Sequence, residues 1–210
     1  MEQYDNRIDL HGKLVTPGIG DAHVHVSDLG WARDILDLHQ SRSSGAFLDL
    51  LKSYLKSDKW NELKDKVNCL EGLGWWEEDE LPSLAEIDEV TGSLPALFHR
   101  RCLHIIYMNS AAIELLGLNK PGADKINPKM AIVRDADGRG KFKVNFNNAI
   151  KCLTASGLLR EGFDFIKSSN LKYQTKELQK QFILSGLDVC IKAGLTQVIS
   201  TFDIVIKNVT

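Results

Sequence analysis

Cysteine is scarce in this chain and has no pattern. The four cysteines of the 210 residues, Cys69, Cys102, Cys152 and Cys190, contain no C-x-x-C pair. Neither a disulfide framework nor a thiolate metal knuckle is indicated. Cys102 and Cys190 lie in apolar stretches and read as small core residues, and a reducing compartment is expected. Charge of one sign is also lacking. The 26 Lys and Arg nearly balance the 28 Asp and Glu, leaving no basic stripe for nucleic acid and no footprint for an anionic membrane. The acidic run Glu77-Glu78-Asp79-Glu80 reads as a solvated loop. No apolar run approaches the length of a bilayer span. The polar opening Met1-Glu2-Gln3-Tyr4-Asp5-Asn6-Arg7 has no apolar signal core, so a cytoplasmic protein is expected and the sequon Asn208-Val209-Thr210 carries no meaning. Internal repeats and low-complexity segments are absent too. What is left is ordinary globular composition, 43% hydrophobic. Its length suits one domain, or one domain with a fragment of another, and falls short of the roughly 250 residues of an eight-stranded α/β barrel.

The chain alternates irregularly between strand and helix signals. Asn6 to Leu14 reads as a short extended stretch with a turn at Gly12. Thr16-Pro17-Gly18 is a second turn, and Ile19 to Val26 then reads as a strand. Ala46 to Lys56 has apolar residues at helical spacing. Leu63 to Leu73 is ambiguous, with a short strand possible around Val67, Cys69 and Leu70. Ser83-Leu84-Ala85-Glu86 is a capping box, opening a helix to Val90 that Gly92 ends. Pro95 to His99 reads as a strand. Asn109 or Ser110 caps a helix through Leu116, which Gly117 ends in the left-handed conformation. The Asp137-Gly138 turn joins Ile132–Arg134 to Lys141–Phe146 as a hairpin. Thr175 to Lys192 is the clearest helix, with Leu178, Phe182, Ile183, Leu187, Val189 and Cys190 on one broad face. Gly194 ends it before an apolar strand, Leu195 to Ile199. Helix, glycine, apolar strand is the pattern of an α/β repeat.

The chemistry-bearing pair is His23 and His25. Two residues apart on a strand, they share one face, so both rings can reach one ion. Imidazole nitrogen suits a divalent metal such as Zn²⁺. Asp21 is either a carboxylate that orients one of the rings or a strand-end cap. Trp75 and Trp76 either pack in the interior or line a pocket. His11, His39 and His99 read as surface or structural residues.

Taken together, these segments resemble a known family. Leu14-Val15-Thr16-Pro17-Gly18-Ile19-Gly20-Asp21-Ala22-His23-Val24-His25 resembles the first-strand motif V-x-P-G-x-x-D-x-H-x-H of the amidohydrolase superfamily, with Gly20 where a bulky apolar residue is usual. Further segments resemble amidohydrolase family 3 in order: Gly72-Leu73-Gly74-Trp75, then Leu81-Pro82-Ser83 through Asp88. Arg100-Arg101-Cys102-Leu103-His104 through Asn109-Ser110-Ala111-Ala112, Ile132-Val133-Arg134-Asp135 through Gly138, and Ala193-Gly194-Leu195-Thr196-Gln197-Val198 follow.

The resemblance implies an α/β barrel of the TIM type with a small β-sandwich, hydrolysis of C–N bonds in small amide-type substrates, and one or two divalent ions. It implies that His23 and His25 ligate metal, zinc above others, and that His104 sits near the substrate. On this basis residues 1–15 are expected to be a sandwich remnant, 16–200 a partial barrel, and 201–210 a tail outside the family. The sequence also departs from the pattern. Asn147 stands where a glutamate is common, and Leu103 replaces the glycine before His104. The family's further ligands lie beyond the segment that ends at Val198. Two expectations follow: a metal-dependent hydrolase that is incomplete as it stands, or an inactive homologue that binds a partner or self-associates through exposed barrel surfaces.

Overall fold

The computed structural model describes residues 8–76, 80–103, 106–117, 130–134, 140–144 and 175–200. Strand β1 (Ile19–Val24) leads directly into helix α1 (Val26–Asp34), followed by β2 (Leu36–Asp37), α2 (Ser44–Leu55) and α3 (Asp58–Leu63). Then come β3 (Leu70–Trp75), α4 (Leu84–Thr91), β4 (Ala96–Arg100), β5 (Ile106–Met108), α5 (Ser110–Leu115), β6 (Met130–Arg134) and β7 (Gly140–Val144). Helix α6 (Lys176–Lys192) and strand β8 (Leu195–Ser200) close the described part.

The described strands fall into three sheets. β2, β3 and β4 run parallel, β5 joins β4 antiparallel, β6 and β7 pair antiparallel, with the expected Asp137-Gly138 turn outside the described residues, and β1 pairs with β8 in parallel. The architecture is mixed α/β with parallel sheets.

The four-stranded sheet is buried on both faces because its strands alternate apolar residues to each side. Cys69, Leu97 and Met108 point to one face and meet Trp31 and Ile35 near α1, Ile113 of α5, and Leu178 and Phe182 of α6. Leu70, Ala96, Phe98 and Tyr107 point to the other and meet Phe47 and Leu51 of α2, Trp60 of α3 and Ile87 of α4. The result is a helix–sheet–helix sandwich. Buried Asn109 fastens one end of it. Its Oδ1 accepts from the Ala112 and Ala96 amides, each at 2.9 Å, and its Nδ2 donates to Thr91 Oγ1 and the Leu94 carbonyl, each at 2.8 Å. It therefore caps α5 and anchors the start of β4 at once. Next to it, the Ser110 hydroxyl donates to Asp88 Oδ2 at 2.6 Å.

Most elements follow the sequence reading. The Ser83–Glu86 capping box is present in full, and Gly117 and Gly194 have positive φ, 68° and 81°. The first strand is shorter than the expected Ile19–Val26. It ends at Val24, because His25 is the N-cap of α1. Residues 8–18 form a turn at His11 and Gly12 but no strand.

Helix α1 had no signal in the sequence, for a physical reason. It lacks an apolar stripe and holds Gly30 at its centre. It forms because it packs backbone to backbone on α6. A Cβ at Gly30 would stand 1.8 Å from the Phe182 carbonyl oxygen, and one at Gly186 2.0 Å from the Val26 carbonyl oxygen. Arg33 joins the same interface through Asp188 at 2.5 Å, and the Ser185 hydroxyl donates to Asp34 at 3.0 Å. Gly30→Ala and Gly186→Ala should each destabilise the protein by about 1–3 kcal/mol or more, the usual scale of overpacking. Urea unfolding followed by circular dichroism measures the loss, and a midpoint equal to that of the native sequence would refute the contact.

Candidate metal centre

The His-Val-His segment sits where β1 ends. Its approach is set by Gly18, where a Cβ would lie 2.1 Å from Thr196 Oγ1. Only a residue without a side chain lets the chain pass β8 so closely; the turn expected at Thr16-Pro17-Gly18 is not formed. No such demand exists at Gly20, whose added Cβ would meet Gln197 at an ordinary 3.6 Å; nothing in the structure explains a glycine there. Register pairs Ile19 with Leu195, Asp21 with Val198 and Val24 with Ser200. The Val26 amide donates to Ser200 Oγ at 3.4 Å, tying the carboxyl ends of the two parallel strands together. In parallel α/β sheets that end is where ligands bind.

The rings of His23 and His25 meet edge to face with centroids 5.4 Å apart. His23 is exposed and His25 half-buried. Asp21 does not orient either ring; its Oδ1 accepts the backbone N–H of His23 at 2.9 Å, so it stiffens the end of the strand instead. The His25 carbonyl accepts the Leu29 amide at 2.9 Å, which makes His25 part of the first turn of α1. Its Nδ1 is buried without a hydrogen-bond partner among the described residues. An orphaned buried ring nitrogen is costly, and a bound cation is one thing that would satisfy it. The donor chemistry therefore fits a divalent ion as far as two imidazoles go. Among the described residues, no group of three or more His, Cys, Asp or Glu side chains is placed to hold a metal. His104, Asn147 and the tail 201–210 lie outside the described residues.

Leu103, just before His104, has φ +60°. This explains the glycine in the resembled motif: the turn needs the left-handed conformation, which strains a side chain with a Cβ. Trp75 is an interior residue, its indole N–H donating to the Phe98 carbonyl at 2.8 Å. Trp76 is half-buried with the Arg101 guanidinium 4.6 Å from its ring.

Asp37 and His39 form a dyad at the carboxyl end of β2. Asp37 Oδ1 accepts the His39 amide at 2.9 Å and lies 2.7 Å from His39 Nδ1. The ring rests on Gly74, which has φ +123° and where a Cβ would stand 2.5 Å from Nδ1. Burial pushes the Asp37 carboxyl up, but the backbone and side-chain hydrogen bonds from His39 and its nearby charge outweigh this and hold it below the ordinary 3.8.

The sequence reading did not find the buried cluster of Trp31, Glu71 and His99. The Trp31 indole N–H donates to Glu71, and His99 Nε2 lies 3.7 Å from Glu71 Oε1. The available signal was a carboxyl group inside an otherwise apolar strand, Leu70-Glu71-Gly72-Leu73.

Two measurements bear on this geometry. Leu103→Gly should stabilise the protein by up to about 1 kcal/mol, since the strain relieved exceeds the entropy glycine adds to the unfolded chain; a lower unfolding midpoint would contradict the turn. A carboxyl held low in the folded state adds stability that is complete above its unfolded pKa and lost as pH falls through the lowered folded value. The Asp37 carbon-13 carboxyl titration should therefore have its midpoint below 3.8, and His39→Ala should raise it.

The model of the amidohydrolase family matches residues 7–202. The putative amidohydrolase YtcJ of Bacillus subtilis (strain 168) is 31% identical over 135 residues, 62% of this chain and 24% of its own length. The exoenzymes regulatory protein AepA of Pectobacterium carotovorum subsp. carotovorum is 30% identical over 134 residues, 62% of this chain and 29% of its own. The chain thus matches less than a third of the length of either relative. Among solved structures, an uncharacterized metal-dependent hydrolase from Pyrococcus horikoshii OT3 superposes on 87% of this chain with a TM-score of 0.55 and 20% identity, over 30% of its own chain. With all its described elements inside the matched span and the His-Val-His segment at the carboxyl end of its first strand, the chain belongs to the amidohydrolase family.

Proposed function

We propose that this chain carries the first-strand metal ligands of a metal-dependent hydrolase that cleaves C–N bonds of small amide-type substrates. The observation that carries the reading is the His23–His25 ring pair at the carboxyl ends of β1 and β8, with the buried Nδ1 of His25 unsatisfied. His23 and His25 are the residues that would hold the ion, and zinc is a metal that suits imidazole donors of this kind. When bound, such an ion supplies a water whose pKa is lowered toward ~7 and a positive charge that polarises a carbonyl.

The chain's own residues prepare the place for it. Asp21 fixes the strand end through the His23 amide. The first turn of α1 fixes His25. His104, by the resemblance of its segment, contributes a hydrogen bond to the substrate carbonyl or leaving group. The β1–β8 pair is read as two neighbouring staves of a TIM-type barrel over residues 16–200, in a cytoplasmic protein. The described residues hold no helix long and apolar enough to cross a membrane.

A second reading has its own observation. Leu14, Val15, Ile19 and Ile199, on or leading into the β1–β8 pair, are 87%, 67%, 67% and 51% exposed. An apolar surface of this kind suits contact with another protein surface, so an inactive homologue that binds or dimerises is the alternative.

Inductively coupled plasma mass spectrometry separates the two readings. The hydrolase reading expects near-stoichiometric zinc in the native protein, its loss in the His23→Ala/His25→Ala double variant, and amide hydrolysis that a chelator abolishes. No metal in either protein, with self-association on a sizing column, would establish the alternative.

A further inference from the structure

Trp31, Glu71 and His99 form a polar cluster inside the apolar layer between α1, α6 and the four-stranded sheet. All three are buried. The indole N–H of Trp31 donates to Glu71 Oε2, Glu71 Oε1 faces His99 Nε2 at 3.7 Å, and the Trp31 and His99 rings meet edge to face at 5.3 Å. A carboxyl group in such a layer costs free energy even when bonded, and an apolar residue of the same size is often at least as stable. Stability alone is a poor reason for it.

Its position supplies another. Trp31 lies on the helix that starts at His25, whose carbonyl accepts the first helical amide bond from Leu29. Glu71 and His99 lie on β3 and β4, and β4 runs on toward the segment that holds His104. Other polar contacts of α1 include Arg33 to Asp188, Ser185 to Asp34, the Tyr54 hydroxyl to the Asp34 carbonyl at 3.0 Å, and the Val26 amide to Ser200 Oγ of β8. The apolar contacts between α1 and the sheet are non-directional and permit sliding. The indole–carboxyl hydrogen bond is directional and sets one register.

We infer that Glu71 is a positioning residue: by holding the Trp31 indole it fixes α1 against the sheet, and through the first turn of that helix it fixes the His25 ring. The consequence for metal affinity rests on the reading of His23 and His25 as ligands; the effect on α1 does not.

The test uses the full chain with Glu71→Ala, Glu71→Gln and Trp31→Phe. Native-state hydrogen exchange reads the Leu29 amide, with α2 amides as the control, and a competition titration reads zinc affinity. Glu71→Ala and Trp31→Phe should speed Leu29 exchange by roughly tenfold, the scale of losing a buried hydrogen bond, while α2 amides keep their protection. Zinc affinity should fall by about tenfold, the low end of what loss of an outer partner costs a metal site. Glu71→Gln should restore both, because its amide oxygen accepts the same N–H. Should Glu71→Ala fail to fold, Trp31→Phe carries the comparison with Glu71→Gln. Unchanged Leu29 exchange, or acceleration in step with α2, overturns the inference. So does unchanged zinc affinity in a native protein that binds zinc through His23 and His25. A native protein that takes up no zinc, but shows the exchange pattern, removes the metal reading and leaves the positioning of α1 intact.

Discussion

The contact between α1 and α6 is the constraint on which the rest depends. Two glycines face two carbonyl oxygens there, Gly30 toward Phe182 and Gly186 toward Val26, at separations no Cβ would tolerate. Because the helices meet backbone to backbone, the strands attached to them have little freedom. β1 enters α1 directly, and β8 leaves α6 after one glycine. Bringing the helices together therefore lays β1 beside β8, although Val26 and Ser200 are 174 residues apart. The pairing of these two strands carries the His-Val-His segment to a carboxyl-end edge, where the two imidazoles meet.

The four-stranded sheet is organised by a different set of contacts. Several residues that make the chain resemble its family act here as fasteners between elements. Asn109 joins α5, the start of β4 and the end of α4 through four hydrogen bonds. Asp88 holds Ser110, and the Tyr107 hydroxyl donates to the Pro82 carbonyl at 2.7 Å. Gly74 is demanded by the His39 ring, and Gly18 by Thr196. A family motif thus mixes residues kept for chemistry with residues kept for packing. Only the contacts tell them apart.

Between these two bodies of structure lies the cluster of Trp31, Glu71 and His99. It joins the helix that begins at a proposed ligand to the strands whose loops lead toward the other candidate site residue. Burial also acts on its neighbours. The Tyr54 hydroxyl is pushed well above its usual range by burial and then by Asp34 and Glu71, and the Cys69 thiol is likewise raised by burial and then by Glu71. Both groups stay neutral at ordinary pH, Cys69 in the layer that holds Trp31 and Tyr54 in the layer on the opposite face of the sheet.

Much of this was legible in the sequence, where the signal is local. Caps such as Ser83, Asn109 and Thr175 act on amides within three residues, and helix-ending glycines act at their own φ. The His-x-His spacing and its Pro-Gly approach are local too. Hence the helices over Ser44–Leu55 and Lys176–Lys192, the capping box and the candidate ligand pair were all readable. The tertiary structure decided what depends on partners distant in the chain. Helix α1 carries no stripe of its own and exists because α6 receives it. Asp21 turned out to serve a backbone amide rather than a ring. Glu71 and His99 became neighbours only when β3 and β4 were laid in register. Local conformational preference belongs to the residues themselves, whereas burial and pairing belong to surfaces that exist only once the chain has folded.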